Sequence, residues 1–136
     1  MLASYRHIRD AAAVTLADIG IVHQRELFER EADRLGRAPP VIDGAEVLAD
    51  PPGMLARLCA ALAIPYTDAM LRWSAGRRDT DGVWAPAWYA SVERSTGFAA
   101  TGAAGAALPD GLLRLAEQAR PHYEALAAHR LRAAVV

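Results

Sequence analysis

The chain has 136 residues, 53% of them hydrophobic and 23% charged, a length and balance that suit one globular domain and exclude disorder throughout. Its net charge of −1 comes from acidic and basic residues spread along the chain, so no basic block points to a nucleic acid. All 15 basic residues are Arg, which excludes any mechanism that needs a Lys, such as a Schiff base or a pyridoxal phosphate attachment.

The expected architecture is mainly α with one short strand near residues 41–43. Leu2 to about Ala13 reads as a first helix. Thr15-Leu16-Ala17-Asp18 carries an N-cap with an acidic residue three positions on. It starts a helix that presents Ile19, Val22, Leu27 and Leu35, widened by Ile21 and Phe28, and ends near Gly36. Pro39-Pro40 breaks the chain, and Val41-Ile42 reads as the strand, closed by Asp43-Gly44. A helical turn through Glu46, Val47 and Leu48 follows. Asp50-Pro51-Pro52 then starts a helix with Met54, Leu55, Leu58, Cys59 and Leu62 as its buried stripe, ended by Pro65.

Thr67 is expected to cap a shorter helix that carries Met70, Leu71 and Trp73 up to Gly76. Residues 76–83, GRRDTDGV, form a polar, glycine-flanked loop. An aromatic helix from Pro86 to about Arg94 comes next, with Trp84 just before it. Residues 99–109 are rich in Gly and Ala and read as a flexible connection. Asp110 is expected to cap a last helix with Leu112, Leu113, Leu115, Leu126 and Leu131, kinked or broken at Pro121.

The candidate chemistry is sparse. One cysteine, Cys59, among apolar neighbours reads as a buried thiol and fits a reducing compartment. No apolar run approaches the ~20 residues of a membrane span, and the N-terminus is not a signal peptide, so a cytoplasmic location without membrane partners is expected. His7, His23, His122 and His129 are scattered and lack a carboxylate motif, so no metal site is assigned. Ser91 and Ser95 lack a nucleophile signature and read as surface or capping serines. The informative segment is Gly76-Arg77-Arg78-Asp79-Thr80-Asp81-Gly82-Val83-Trp84. Its paired guanidinium groups can grip an anion through forked donors, or they can be neutralised by Asp79 and Asp81.

Three stretches, taken in order, resemble the C-terminal part of the sulfotransferase-like family of the P-loop nucleotide-binding superfamily. Met1-Leu2-Ala3-Ser4-Tyr5 is similar to the end of an Arg-Asp-Pro…Ser-Tyr element. Val41-Ile42-Asp43-Gly44 through Asp50-Pro51, with Leu62-Ala63-Ile64-Pro65, resembles the family's strand, acidic turn and following helix. Arg77-Arg78…Gly82-Val83-Trp84…Trp88 resembles its Arg-Lys-Gly…Gly-Asp-Trp loop, and Asp81 to Phe98 resembles a branch ending in Ser-Thr-Gly-Phe.

The resemblance covers residues 1–98, leaving 99–109 as a linker and 110–136 as a C-terminal helix. It implies an α/β three-layer P-loop-type domain and sulfuryl transfer from 3′-phosphoadenosine 5′-phosphosulfate to a hydroxyl or amine. It also implies that Ser4, Arg77 and Arg78 hold the donor's 3′-phosphate. No phosphosulfate cradle or matching catalytic base occurs in the sequence. No catalytic residue is therefore assigned, and the isolated chain is expected to be inactive. The alternatives are a helical partner-binding module, self-associating through the exposed strand face, or a truncated reading frame in which Met1 is an internal methionine.

Overall fold

The computed structural model describes residues 14–83, 85–99 and 108–132, so the expected first helix lies outside the described residues. The chain divides into two compact units, one built from residues up to 43 together with 103–131, the other from residues 44–102 with the last five.

The first unit contains α1 (Leu16–Ile19), α2 (Ile21–Leu35) and α7 (Asp110–Ala127). The capping box forms as expected: the Asp18 N–H donates to Thr15 Oγ1 at 3.4 Å, and the Thr15 N–H donates to the Asp18 carboxylate at 2.9 Å. The single helix expected from Thr15 to Gly36 is instead two helices. Gly20 adopts φ 67°, a left-handed conformation that ends α1 through a bond from its N–H to the Ala17 carbonyl. Its own carbonyl then accepts from Gln24 N–H at 2.9 Å and starts α2.

The break places Ile19 and Ile21, both buried, in one core with Val14, Leu112, Leu115 and Leu126. Val22, Phe28 and Val41 pack around this cluster. Leu27 and Leu35, expected on the apolar face, are 47% and 41% exposed. The split at Gly20 interrupts the continuous periodicity on which that expectation rested. The outer face of α2 carries ion pairs such as Arg25–Glu29 at 2.6 Å, which stabilise it by only a few tenths of a kcal/mol.

In α7 the cap is Pro109, and Asp110 is the first helical residue, where its negative charge interacts favourably with the positive end of the helix dipole. The helix runs through Pro121 without a break. Both Pro121 and Glu117, whose carbonyl loses its partner, are exposed, so water can take that carbonyl.

No strand forms at 41–43 among the described residues. Val41 makes one isolated parallel bridge to Arg130, in which the Leu131 N–H donates to the Val41 carbonyl at 2.8 Å. Pro39 and Pro40 have no N–H to extend a ladder, and a helix begins at Gly44. The segment is held instead by side chains: the Tyr123 hydroxyl donates to the Asp43 carboxylate at 2.5 Å.

The second unit starts with α3 (Gly44–Ala49) and α4 (Pro51–Ala61). Asp50 caps α4 by accepting the Gly53 N–H at 3.0 Å, and prolines fill the first helical positions. Met54 and Cys59 are buried as expected. Leu62 is 49% exposed, because α4 has already ended there: Ala63 turns left-handed at φ 55°, and the Ile64 N–H bonds back to the Cys59 carbonyl.

Thr67 caps a 3-10 helix, Asp68–Leu71, shorter than the helix expected to Gly76. It brings Met70 Sδ to 3.8 Å from Cys59 Sγ. The aromatic segment forms two short helices, α5 (Ala85–Trp88) and α6 (Ala90–Glu93), rather than one. Among the described residues no helix is long and apolar enough to cross a membrane.

Candidate anion site on the arginine loop

The loop at 76–83 is the tip of a closed stem. Residues 72–76 run antiparallel to 93–97, with a bridge between Arg72 and Gly97. The Trp73 N–H donates to the Thr96 carbonyl at 3.1 Å, and the Gly76 N–H donates to the Glu93 carbonyl at 2.7 Å. Gly76 has φ 114°, which a side chain would make costly, and this conformation lets the chain leave the stem sharply.

Beside this backbone ladder lies a side-chain clasp. The Trp73 indole N–H donates to Ser95 Oγ at 2.9 Å, and the Ser95 hydroxyl donates to the Val92 carbonyl at 2.7 Å. The indole also meets Phe98 edge-on, with ring centroids 5.3 Å apart. An edge-on aromatic pair of this kind is worth ~0.5–1.5 kcal/mol beyond its burial.

Within the loop, Arg78 and Asp81 close a turn on each other. The Arg78 N–H donates to the Asp81 carboxylate at 2.9 Å, and the Asp81 N–H donates to the Arg78 carbonyl at 3.0 Å. The Asp81 carboxylate thus serves the backbone rather than a guanidinium. The Arg78 side chain reaches back to the Ser74 carbonyl at 3.2 Å. Arg77 and Arg78 are both exposed, and among the described residues neither forms an ion pair with Asp79 or Asp81. Two adjacent guanidinium groups are therefore presented to solvent from an anchored loop. That donor set suits a phosphate or sulfate ester.

Ser4, the third residue implied by the resemblance, lies outside the described residues, as does Trp84. The described histidines do not cluster: His23 on α2 pairs with Glu26 at 3.1 Å, and the His129 ring, in the turn after α7, has its centroid 4.9 Å from that of Phe28. Among the described residues no group of three or more metal-ligating side chains comes together.

Sequence reasoning missed the stem. It placed Trp73 on a helix, and it read Ser95 as a surface or capping serine without its second bond to the indole. The only available signal was the Ser-Thr-Gly-Phe ending, whose partner 22 positions upstream is visible only once the chain has folded back.

A family model described as a sulfotransferase domain matches residues 1–130, so the match runs on across α7. Among curated proteins, Branched-chain-amino-acid aminotransferase-like protein 1 of Arabidopsis thaliana is 42% identical over 96 residues, which is 71% of this chain and 17% of that protein. Branched-chain-amino-acid aminotransferase-like protein 2 of the same plant is 38% identical over 96 residues, again 71% of this chain and 17% of that protein. The chain thus spans about 17% of the length of these relatives. No solved structure matches the chain. With nearly its whole length matched by that one model, the chain belongs to the sulfotransferase domain family.

Proposed function

We propose that this chain supplies the donor-binding side of a sulfotransferase domain. In this reading Arg77 and Arg78, with Ser4, hold the 3′-phosphate of 3′-phosphoadenosine 5′-phosphosulfate. The supporting observation is the pair of exposed arginines, anchored by the stem and not neutralised by their acidic neighbours. When bound, the donor brings the sulfuryl group that would pass to a hydroxyl or amine. The residues of this chain bind and orient; none is assigned to the transfer itself.

The parent domain in this proposal is the three-layer α/β P-loop type. A phosphosulfate cradle needs consecutive backbone N–H groups at a helix N-terminus with a basic side chain, and no stretch of this sequence combines them. The chain alone is therefore expected to bind weakly and not to catalyse, since oxyanion donors and a general base each contribute ~10²–10⁴-fold to rate. The aminotransferase-like name of the relatives is not extended to this segment: pyridoxal phosphate chemistry is anchored on a Lys, and this sequence has none.

The test is a titration of 3′-phosphoadenosine 5′-phosphate into the wild type, Arg77→Ala, Arg78→Ala and Ser4→Ala. Charge-assisted bonds of ~1.5–3 kcal/mol each, offset by ordering the loop and ligand, lead us to expect a constant in the millimolar range. Binding should weaken as salt rises, because the site is open to solvent. Equal binding by all four proteins, or binding by none, would end the donor-site reading. Turnover of the sulfate donor by the pure chain, abolished by a substitution within it, would overturn the assignment of a binding role alone.

A second reading, association through the 41–42 segment, is favoured by Ile42, which is 42% exposed beside Val41, whose bridge to Arg130 is the one bridge it makes among the described residues. Sedimentation of the wild type and Ile42→Glu tests it: a concentration-dependent dimer lost in the variant supports it, and a monomer throughout rejects it.

A further inference from the structure

The arginine loop is exposed along nearly its whole length, while its stem is closed by several contacts. Three elements close it: the backbone ladder of Trp73 and Gly76 onto Thr96 and Glu93, the edge-on contact of Trp73 with Phe98, and the indole–hydroxyl bond. The last is unlike the other two. Ser95 Oγ accepts from one arm of the stem while donating to the carbonyl of Val92 at the end of α6. One hydroxyl thus ties the arm that leads into the loop to the helix that follows the loop.

A serine with a single bond in this place would be a helix-end cap. Its second bond, to a residue 22 positions away in sequence, adds a side-chain tie to the backbone ladder between the entry of the loop and its exit. The loop begins three residues after Trp73, and the Gly76 N–H closes the ladder immediately before Arg77. The clasp thus braces the stem just behind the point where Gly76 turns the chain into the loop.

We propose that Trp73 and Ser95 are positioning residues for the arginine loop, whose indole–hydroxyl clasp locks the stem and so fixes where Arg77 and Arg78 present their guanidinium groups to an anion. The proposal rests on the donor-site reading for its ligand, but the clasp itself can be measured without one. Two exposed arginines on an open stem would sample many directions, and each would have to be ordered again on binding. A closed stem has already restricted them.

Four full-length chains test this: wild type, Trp73→Phe, Ser95→Ala and Ser95→Thr. Trp73→Phe deletes the indole N–H and keeps a ring against Phe98, while Ser95→Thr keeps the hydroxyl. Native-state hydrogen exchange is read at the Gly76 amide, with the Met54 amide, bonded to the Asp50 carbonyl inside the same unit, as reference. Loss of one neutral hydrogen bond should speed Gly76 exchange by about fivefold to tenfold in Trp73→Phe and Ser95→Ala. Met54 exchange should stay unchanged, and Ser95→Thr should restore the wild-type rate at Gly76.

Titration of 3′-phosphoadenosine 5′-phosphate should show affinity lowered by about threefold to tenfold in the first two variants and recovered in Ser95→Thr. Unchanged Gly76 exchange in both variants overturns the clasp. Faster exchange at Met54 as well shows general destabilisation and overturns it too. Faster Gly76 exchange with unchanged affinity overturns the positioning role. Absence of binding by the wild type removes the donor-site reading and the positioning role with it, while the exchange rates still decide whether the clasp closes the stem.

Discussion

Different physics stabilises the interior of each of the two units. In the first, α1, α2 and α7 enclose one contiguous apolar cluster, with Leu112 fully buried and Leu115, Leu126, Ile19 and Ile21 close behind. In the second, the buried apolar residues are few, Met54, Cys59 and Ala85 among those described. Its shape is set instead by caps, turns and the hydrogen-bonded stem around residues 72–98. Hydrophobic burial is non-directional and tolerates an exposed polar face, so it builds a scaffold. Hydrogen bonds are directional and can hold a backbone while side chains at the tip stay exposed, so they suit a loop that must present charges. The exposed arginines belong to the second kind of region.

By this contrast, the largest effect of a single substitution falls in the first unit. Leu112→Ala removes a side chain with no solvent exposure and should cost about 2–5 kcal/mol, read by urea unfolding followed through helical circular dichroism. A cost under ~1 kcal/mol would show that the cluster is looser than its burial implies and would blur the distinction between the units.

A middle-sized effect is expected where the second unit relies on a cap. Asp50→Ala removes the acceptor for the Gly53 N–H and should destabilise by about 0.5–2 kcal/mol, with Asp50→Asn retaining much of the cap. The same unfolding experiment checks it, and equal losses in both variants would assign the effect to charge rather than to capping.

The sign should reverse at Ala63. This residue holds φ 55° at the end of α4, a conformation that favours glycine, so Ala63→Gly should stabilise by about 0.5–1 kcal/mol. Destabilisation on unfolding would mean that the methyl group makes contacts that outweigh the backbone strain.

The smallest change in stability should come from the arginine loop. Arg77→Ala removes an exposed side chain that has no ion pair among the described residues, so unfolding should shift by less than ~0.5 kcal/mol. The same substitution should weaken binding of 3′-phosphoadenosine 5′-phosphate severalfold. Such a split between binding and folding would support the proposed role of Arg77 in holding the donor.

Local signals determined much of this molecule from the sequence alone. The Thr15–Asp18 capping box, the Asp50 cap with its prolines, the burial of Met54 and Cys59, and the loop at 76–83 all depend on residues within a few positions of one another. Their chemistry can be read without knowing the fold. The ordered motifs also led to the sulfotransferase family, because motif order survives where single motifs are loose.

What required tertiary structure was every interaction closed over a long separation. Gly20 could have sat within one helix; burial of Ile19 and Ile21 in one core selects the break. Val41-Ile42 has strand-like side chains, but a strand needs a ladder, and among the described residues only one bridge, to Arg130, forms. Ser95 finds Trp73, and Asp43 finds Tyr123, only after the chain has returned on itself. A hydrogen bond depends on position in space to within a few tenths of an ångström, and a sequence encodes that position only through the whole packed chain.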